Sequence, residues 1–152
     1  MNEKVLRTLE YNKIISLLVE KADSTPGKKL CEELIPMVDI DEIRKAQNET
    51  KDGLSRLFKK GSTSFGGNYD IGFSLRTLEI GSTLSAQELL KVAKLLDNVN
   101  RIKNYGRKER EDAPSDSLDE YFELLTPLTQ LAAEINRCIL SEEEIADDAS
   151  PK

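Results

Sequence analysis

The middle of this 152-residue chain carries a complete helix-start signal. Ser85 and Glu88 have the spacing of a capping box, in which each side chain accepts a hydrogen bond from the other residue's backbone N–H. Leu84 and Leu89 flank the box at the two positions of a hydrophobic staple. Apolar residues then recur at helical intervals. The sequence therefore predicts a long helix that begins at this box and runs to about Asn104 or beyond.

The start of the chain predicts shorter helical pieces. The apolar pattern of residues 3–22 changes phase near Tyr11, because the apolar residues before and after that point fall on opposite faces of one helix. We therefore expect a break there, followed by a helix with Asn12 as its N-cap. Thr25 is the expected cap of the next helix, which should stop before Pro36.

Two further helices are marked in the centre of the chain. Asp39 and Glu42 repeat the capping-box spacing and predict a long helix, which should end at Gly61 because glycine favours that position. A short helix is expected from Phe73 to Glu79. Together with the first signal, these boundaries predict helices over most of the central region.

The last third of the chain contains a linker and two expected helices. Residues 106–117 are polar and charged and are predicted to form a flexible linker. Ser117 and Glu120 have capping-box spacing and predict a helix that ends at Pro127. Apolar residues at helical intervals then predict a final helix over 128–139.

Composition favours helices over strands. The chain has 21 leucines and 5 valines; leucine suits helices, whereas β-branched residues suit strands. Hydrophobic residues make up 38% of the chain, enough for one core, and no apolar run is long enough to span a membrane. We predict an all-α fold: an irregular bundle of about six helices.

The residues needed for bond chemistry are missing. Histidine is absent, which excludes the usual zinc hydrolases and every histidine-based catalytic triad within this chain. Cys31 and Cys138 are too few for a disulfide scaffold and are expected to be reduced, buried thiols. No Walker-type phosphate loop is present, and the acidic residues at 142–148 form a run rather than a converging cluster. We expect no catalytic, cofactor-binding or metal-binding residue here.

The glycine-rich stretch 61–72 is predicted to be an ordered connection rather than a phosphate loop. It holds four glycines in twelve residues, which is typical of a turn that needs positive φ or close backbone packing. Phe65, Tyr69 and Ile71 are expected to anchor it on the helices. The structural loop residues are Phe65, Gly66, Gly67 and Asp70.

Charge is distributed unevenly along the chain. Residues 1–110 carry 20 basic and 16 acidic side chains, whereas residues 111–152 carry 2 basic and 12 acidic ones. A basic cluster near the end of the long helix is a candidate for weak contact with nucleic-acid phosphates. The alternative is that these cations interact only with the helix dipole. The cluster consists of Arg101, Lys103, Arg107, Lys108 and Arg110.

Several short segments, in order along the chain, resemble the second type of bacterial MutS-like proteins, here called the MutS-two family. The opening Leu9-Glu10-Tyr11-Asn12-Lys13-Ile14 is similar to the start of that family. The others are Phe65-Gly66-Gly67, Asp70-Ile71, Glu79-Ile80-Gly81, Leu84-Ser85, Glu88-Leu89-Leu90 and Asp148-Ala149-Ser150-Pro151.

The resemblance implies a place in a larger protein. Members of the family begin directly with a helical core and lever region, and this chain looks like its first half. The rest would supply the lever, the clamp, a homodimeric ATPase that uses ATP and Mg²⁺, and a C-terminal nuclease domain. The resemblance implies cytoplasmic action on branched DNA, in recombination and DNA repair, and action by some members on collided ribosomes, in ribosome quality control.

Two functional hypotheses remain open from sequence. The first is a structural relay: a helical segment of a nucleic-acid-handling ATPase that performs no catalysis itself. The second is a self-contained helical module that binds protein partners. The chain ends on a helix-start signal at Ser150-Pro151, which favours an N-terminal fragment of a longer protein. A fragment should also expose apolar surface.

Overall fold

The structure, a computed structural model, describes residues 3–108 and 114–150. These ranges contain eight α-helices and no strand; one isolated antiparallel bridge joins Ile139 to Ile145. The all-α prediction is confirmed. The helices are α1 (Glu3–Thr8), α2 (Tyr11–Lys21), α3 (Thr25–Glu32), α4 (Ile40–Lys60), α5 (Gly72–Glu79), α6 (Ala86–Gly106), α7 (Asp119–Glu123) and α8 (Thr129–Cys138).

The two 21-residue helices, α4 and α6, begin at the predicted caps. Both halves of the α6 capping box are present, with the Ser85 N–H donating to the Glu88 carboxylate over 2.8 Å. At α4, the Asp39 carboxylate accepts from the N–H of Glu42 over 3.0 Å. The same helix ends at Gly61, whose φ of 77° is left-handed, as a glycine cap requires.

The break in the first helical segment is confirmed, but two caps near it are wrong. The chain turns at Glu10, whose left-handed φ of 52° lets α2 begin before Asn12, the predicted cap. Ser24, rather than Thr25, caps α3, because the Ser24 hydroxyl accepts from the N–H of Gly27 over 3.1 Å. Both errors are shifts of one or two residues, and the helices themselves form as predicted.

The predicted capping box at Ser117 is also wrong. The Ser117 hydroxyl instead donates to Asp52 on α4 over 2.7 Å. Two other carboxylates accept backbone hydrogen bonds just before α7. The Asp119 carboxylate accepts from the N–H of Asp116 over 3.1 Å, and the Asp116 carboxylate accepts from the N–H of Leu118 over 2.9 Å. Asp116 is therefore the residue that organises this turn.

The small apolar core lies between α6 and α8. Ala93 on α6 and Ile135 on α8 pack together with Ile139, and Cys138 lies half-buried beside them. Alanine on α6 lets the two helices approach closely, and the isoleucines fill the space between them. The buried apolar side chains are Ala93, Ile102, Ala132, Ile135 and Ile139.

Much apolar surface remains exposed, as predicted. Every described helix except α6 carries at least one large apolar side chain that is at least 40% exposed. The solvent-accessible surface is 11859 Å², whereas a folded monomer of 17.1 kDa is expected to expose about 7,800 Å². The fold therefore leaves bare a large area that most domains of this size bury.

Two predicted features lie partly outside the described residues. The linker prediction covers 106–117, and 109–113 are not described; its two described ends are held by Gly106 and Asp116. The terminal signal pairs Ser150 with Pro151, which lies outside the described residues. In the part of the chain that the structure describes, no helix is long and apolar enough to cross a bilayer.

Candidate functional site

One face of α4 is polar and contacts the rest of the fold. Its residues recur at helical spacing, so at 100° per residue they fall within a sector of about 100°. This row, the polar stripe of α4, faces residues 105–108 and 114–121, which include the end of α6 and most of α7. The stripe consists of Glu49, Asp52, Gly53, Arg56 and Lys60.

Arg56 is the centre of this contact and is only 7% exposed. Its Nε and Nη2 donate to the two oxygens of Asp116, each over 2.7 Å, in the bidentate geometry that suits guanidinium and carboxylate. Nη2 also donates to Asp119 over 2.5 Å, and Nη1 donates to the carbonyl of Gly106 over 3.1 Å. We call Arg56, Asp116, Asp119 and Gly106 the Arg56 cluster. Four hydrogen bonds from the guanidinium help to offset the desolvation of the buried charge.

A close aromatic contact completes the cluster. The Arg56 guanidinium carbon lies 4.7 Å from the centroid of the Phe122 ring, within the range of a cation–π interaction. A Cβ on Gly106 would lie 2.2 Å from Phe122 Cγ, far inside van der Waals contact. Glycine at the end of α6 therefore makes room for the ring that covers Arg56.

The cluster stays charged at neutral pH. Hydrogen bonds from Arg56 hold the pKa of Asp116 below its ordinary value, despite partial burial. Burial raises the pKa of Asp119, but hydrogen bonds from the Asp116 N–H and from Arg56 outweigh it, so that this pKa is also lowered. Lys108 lies 3.4 Å from Asp119. The negative charges of Asp116 and Asp119 are thus balanced by the positive charges of Arg56 and Lys108.

Three further hydrogen bonds extend the contact toward the start of α4. The Tyr121 hydroxyl donates to the Glu49 carboxylate over 2.8 Å. The N–H and hydroxyl of Ser117 both donate to Asp52, and these bonds lower the pKa of the Asp52 carboxyl. Segment 116–121 is therefore fixed along about two turns of α4, from Glu49 to Arg56, by polar contacts.

The C-terminal ends of α4 and α6 cap each other. The Lys60 ammonium donates to the carbonyls of Tyr105, over 3.0 Å, and of Arg107. In return, the Tyr105 hydroxyl donates to the carbonyl of Gly61 over 3.0 Å. Helix ends leave carbonyls without partners, and a cation suits the negative end of the helix dipole. The two long helices are thus tied together at one end.

Two of the basic candidates make contacts within the chain. The Lys103 ammonium donates to the carbonyls of Glu123, over 3.3 Å, and of Leu125, and so caps the end of α7. Lys108 donates to the hydroxyl of Ser115 over 2.8 Å, besides its ion pair in the Arg56 cluster. Both lysines therefore have a structural role. An interaction with the helix dipole alone accounts for only part of these contacts.

The other basic candidates differ in exposure and contacts. Arg101 donates to the amide oxygen of Asn98 over 2.8 Å. The side chain of Arg107 is exposed, and no partner is found for it among the described residues. Arg110 lies outside the described residues. Contact of these cations with nucleic acid stays a prediction.

The glycine-rich stretch is an ordered connection. Gly67 has a left-handed φ of 77°, and the side-chain amide of Asn98, which is buried on α6, donates to the carbonyl of Gly66 over 3.0 Å. Asp70 accepts from the N–H of Gly72 over 2.8 Å and so shapes the start of α5. The roles assigned to Gly67 and Asp70 as loop residues are consistent with this geometry.

The predicted apolar anchors of this loop are wrong in two cases. Phe65 is 41% exposed and Tyr69 is 44% exposed, so neither is buried against the helices; only Ile71 is half-buried. Polar bonds hold the loop instead: Asn98 donates to the carbonyl of Gly66, and the Ser64 hydroxyl donates to Asp23 over 3.0 Å.

Neither metal chemistry nor thiol chemistry is indicated by the described residues. Within 3–108 and 114–150, no three histidine, cysteine, aspartate or glutamate side chains converge as metal ligands. Cys31 and Cys138 are free and half-buried rather than buried as expected. The arrangement built around Arg56 connects α4, α6 and α7 through hydrogen bonds and ion pairs.

The sequence interpretation did not identify Arg56 as the centre of a cluster. The available signal was the polar stripe itself, with Asp52, Gly53 and Arg56 on one face of a predicted helix. The partner Asp116 lies 60 residues away, and that pairing is not encoded in any local pattern.

Comparisons with known proteins identify the family, although no family model matches the chain. It is 51% identical to the protein named Endonuclease MutS2 of Lachnoclostridium phytofermentans, over 99% of this chain and 20% of that protein. Proteins of the same name from Agathobacter rectalis and Acetivibrio thermocellus are 47% and 41% identical, over 100% and 99% of this chain and 19% of each.

The matches extend over nearly the whole chain, so they do not rest on one shared motif. The chain spans about a fifth of the length of the curated relatives that it matches. This confirms the resemblance that was derived from the short segments. The chain belongs to the MutS2 family, as a segment of such a protein.

Proposed function

We propose that this chain is an N-terminal helical scaffold segment, part of the core and lever region, of a MutS-like nucleic-acid-handling protein. In this role it performs no bond chemistry and holds helices through which the state of one domain is passed to another. The observation that carries the proposal is the bare surface, whose total area is about 4,000 Å² larger than a monomer of this size is expected to expose. This surface includes large apolar side chains from every described helix except α6. A segment that packs against further domains leaves such surface when considered alone.

The Arg56 cluster supports a relay rather than a flexible tether. It links α4, the end of α6 and the start of α7 through charged hydrogen bonds. Buried ion pairs of this kind contribute little net stability but fix which groups are in contact. Movement of α4 would therefore be transmitted to α6 and α7 rather than absorbed.

The finer functions are proposals for the whole protein. Its remaining four-fifths would supply the ATPase that binds ATP and Mg²⁺, the nuclease domain and the homodimer. Its substrates would be branched DNA, in recombination and repair, or collided ribosomes, and its location the cytoplasm. The name of the relatives, Endonuclease MutS2, supports an endonuclease.

The test compares two proteins: this chain alone, and a chimaera that joins it to the remainder of the Lachnoclostridium phytofermentans relative. The chain alone should show neither ATP hydrolysis nor nuclease activity and should bind branched DNA, duplex DNA and RNA no tighter than about 10⁻⁶ M at physiological salt. The chimaera should show both activities. Nanomolar, salt-resistant binding by the chain alone, measured by fluorescence anisotropy, would instead make it a recognition domain.

Charge-reversal variants refine that binding measurement. Arg107→Glu removes an exposed cation that has no partner among the described residues, so any residual binding should fall while stability is unchanged. The triple reversal of Lys103, Arg107 and Lys108 should also lower stability, because Lys103 contacts the end of α7 and Lys108 forms an ion pair with Asp119. The self-contained module alternative requires a chain that is monomeric, stable and able to bind a protein partner.

A further inference from the structure

A second face of α4 carries apolar side chains that remain largely exposed in the part of the chain that the structure describes. At 100° per residue its centre lies about 130° from the polar stripe. Ile40, Leu54 and Leu57 on this face are 56%, 53% and 48% exposed. We call this row the heptad stripe, because its residues alternate in steps of three and four, as in a coiled-coil seam. It consists of Ile40, Ile43, Gln47, Thr50, Leu54 and Leu57.

The middle of the heptad stripe, at Ile43, Gln47 and Thr50, forms the floor of a groove together with Ala46. The wall is segment 34–37, an irregular stretch between α3 and α4 in which Ile35 is 71% exposed. The groove has a volume of about 420 Å³ and also contacts Tyr11 of α2. An apolar floor beside an apolar wall suits one face of an amphipathic helix.

The two edges of the heptad stripe differ in chemistry. Arg44 and Lys51 lie along one edge, and both are exposed. Arg44 has only a distant ion pair with Asp41, at 3.7 Å. The other edge carries the small residues Ala46 and Gly53. A helix lying on this face would therefore meet two cations on one side, and acidic residues would complement them.

A second copy of α4 is a poor partner for the heptad stripe because of the same two cations, Arg44 and Lys51. The antiparallel register that aligns the stripe with itself places Ile40 opposite Leu57 and Ile43 opposite Leu54. That register also brings Arg44 of each copy beside Lys51 of the other copy, so that two pairs of like charges face each other along the flank. Like charges in that position are destabilising. The self-paired seam would also stack Gln47 on Thr50 at its centre.

We infer that the heptad stripe of α4 is the docking site for an α-helix from the remaining four-fifths of the same protein. The docked helix carries apolar residues at heptad spacing and acidic residues that face Arg44 and Lys51. This inference rests on the proposed function. The chain spans about a fifth of its relatives' length, so a protein of that length has ample sequence to supply this helix. The exposed Ile40, Leu54 and Leu57 give such a helix an apolar surface to cover, and Arg44 and Lys51 select its acidic flank.

The occupant is identified by photo-crosslinking in the chimaera. A benzophenone amino acid replaces Leu54 on the heptad stripe or, as a control, Asn48 on a different face of α4. We expect crosslinks from position 54, but not from 48, to a helical, acidic peptide outside the part that matches this chain. Crosslinks between two copies, or equal labelling from both positions, would overturn the assignment.

The chemistry of docking is tested separately on the 152-residue chain, so that failure of the chimaera to assemble does not affect it. The probes are two synthetic helical peptides with the same leucine heptads, one with glutamate and one with lysine along the flank. The glutamate peptide should bind at least tenfold tighter, and Lys51→Glu should abolish that preference. Lys45→Glu, the matched change on another face of α4, should preserve it. Equal binding of both peptides would refute the inference.

Discussion

The two ends of this chain have similar helix signals but differ in how they are packed. Residues 86–150 hold every buried apolar side chain of the described part, whereas residues 4–54 contain no buried residue. Both regions have well-defined caps, at Ser85 in one and at Asp39 in the other. Local signals therefore decide where a helix begins, and the presence of a packing partner decides whether its apolar face is buried.

The difference also concerns the kind of contact. α6 and α8 meet through alanine and isoleucine, while α4 meets the end of α6 and α7 through charged hydrogen bonds. The apolar residues of α4 remain on its exposed face. We interpret the C-terminal region as the part that holds its own fold and the N-terminal region as the part that needs the rest of the protein.

The largest effect is expected at the junction between the two regions. Arg56→Met removes the only guanidinium that contacts Asp116 among the described residues, and leaves two partly buried carboxylates without their main partner. The cost should be about 3 kcal/mol, measured by urea denaturation. Neutralising both carboxylates as well, in Arg56→Met/Asp116→Asn/Asp119→Asn, should recover part of it. A loss below about 0.5 kcal/mol, as for an ordinary surface substitution, would show that the cluster is not structural.

The second prediction compares isoleucines from the two regions. Ile135→Ala removes a buried side chain from the α6–α8 contact and should lower the free energy of unfolding by about 2 to 3 kcal/mol. Ile14→Ala, at a position 59% exposed on α2, should change it by less than about 0.5 kcal/mol. Similar losses for both variants would mean that the N-terminal region is packed within this chain after all.

The third prediction separates two neighbouring glycines in the connecting loop. Gly67→Val forces a side chain into a left-handed φ beside Asn98 and should cost about 1 to 3 kcal/mol. Gly66 does not have a positive φ, and its added Cβ would meet only the rotatable Ser64 hydroxyl, at 3.1 Å. Gly66→Val should therefore be the milder change in thermal melting. The reverse order would contradict the loop geometry.

The smallest expected effect is a pH dependence of the Arg56 cluster. The pKa values of Asp116 and Asp119 are lowered in the folded state, so the unfolded chain binds more protons in acid. Their contribution is complete above the ordinary pKa of 3.8 and is lost as pH falls through the lower folded values. Urea midpoints between pH 6 and pH 2.5 should fall less steeply in the neutralised triple variant than in the native chain. If the urea midpoints of the two proteins fell in parallel as pH is lowered, a contribution of Asp116 and Asp119 to the pH dependence would be excluded.

Helix positions could be predicted from sequence because caps and periodicity are local. The box at Ser85 and the ends of α4 at Asp39 and Gly61 were predicted correctly from a few neighbouring residues. The cap at Ser117 was not, because its hydroxyl contacts Asp52 on a helix 65 residues away. When a side chain has two possible hydrogen-bond partners, the tertiary fold decides which of them it contacts, and the spacing of residues in the sequence does not.

The site was harder to predict than the fold for the same physical reason. The basic residues were found as a group, but two of them, Lys103 and Lys108, contact carbonyls and carboxylates that only the folded chain brings near. No local pattern marks Arg56, since its burial depends on Asp116 and Phe122 in a distant segment. Charge patterns locate cations and do not reveal what those cations pair with.

Amide hydrogen exchange of the isolated chain, read by mass spectrometry for each helix, tests the contrast between the two regions most directly. Exchange protection reports the free energy of local opening, which depends on how well each segment is packed. We expect slow exchange in α6 and α8, intermediate exchange in α4, and fast exchange in α1 to α3. In the chimaera, α1 to α4 should become as protected as α6. Uniform protection along the isolated chain, or no gain in the chimaera, would contradict the account of a scaffold segment that needs the rest of its protein.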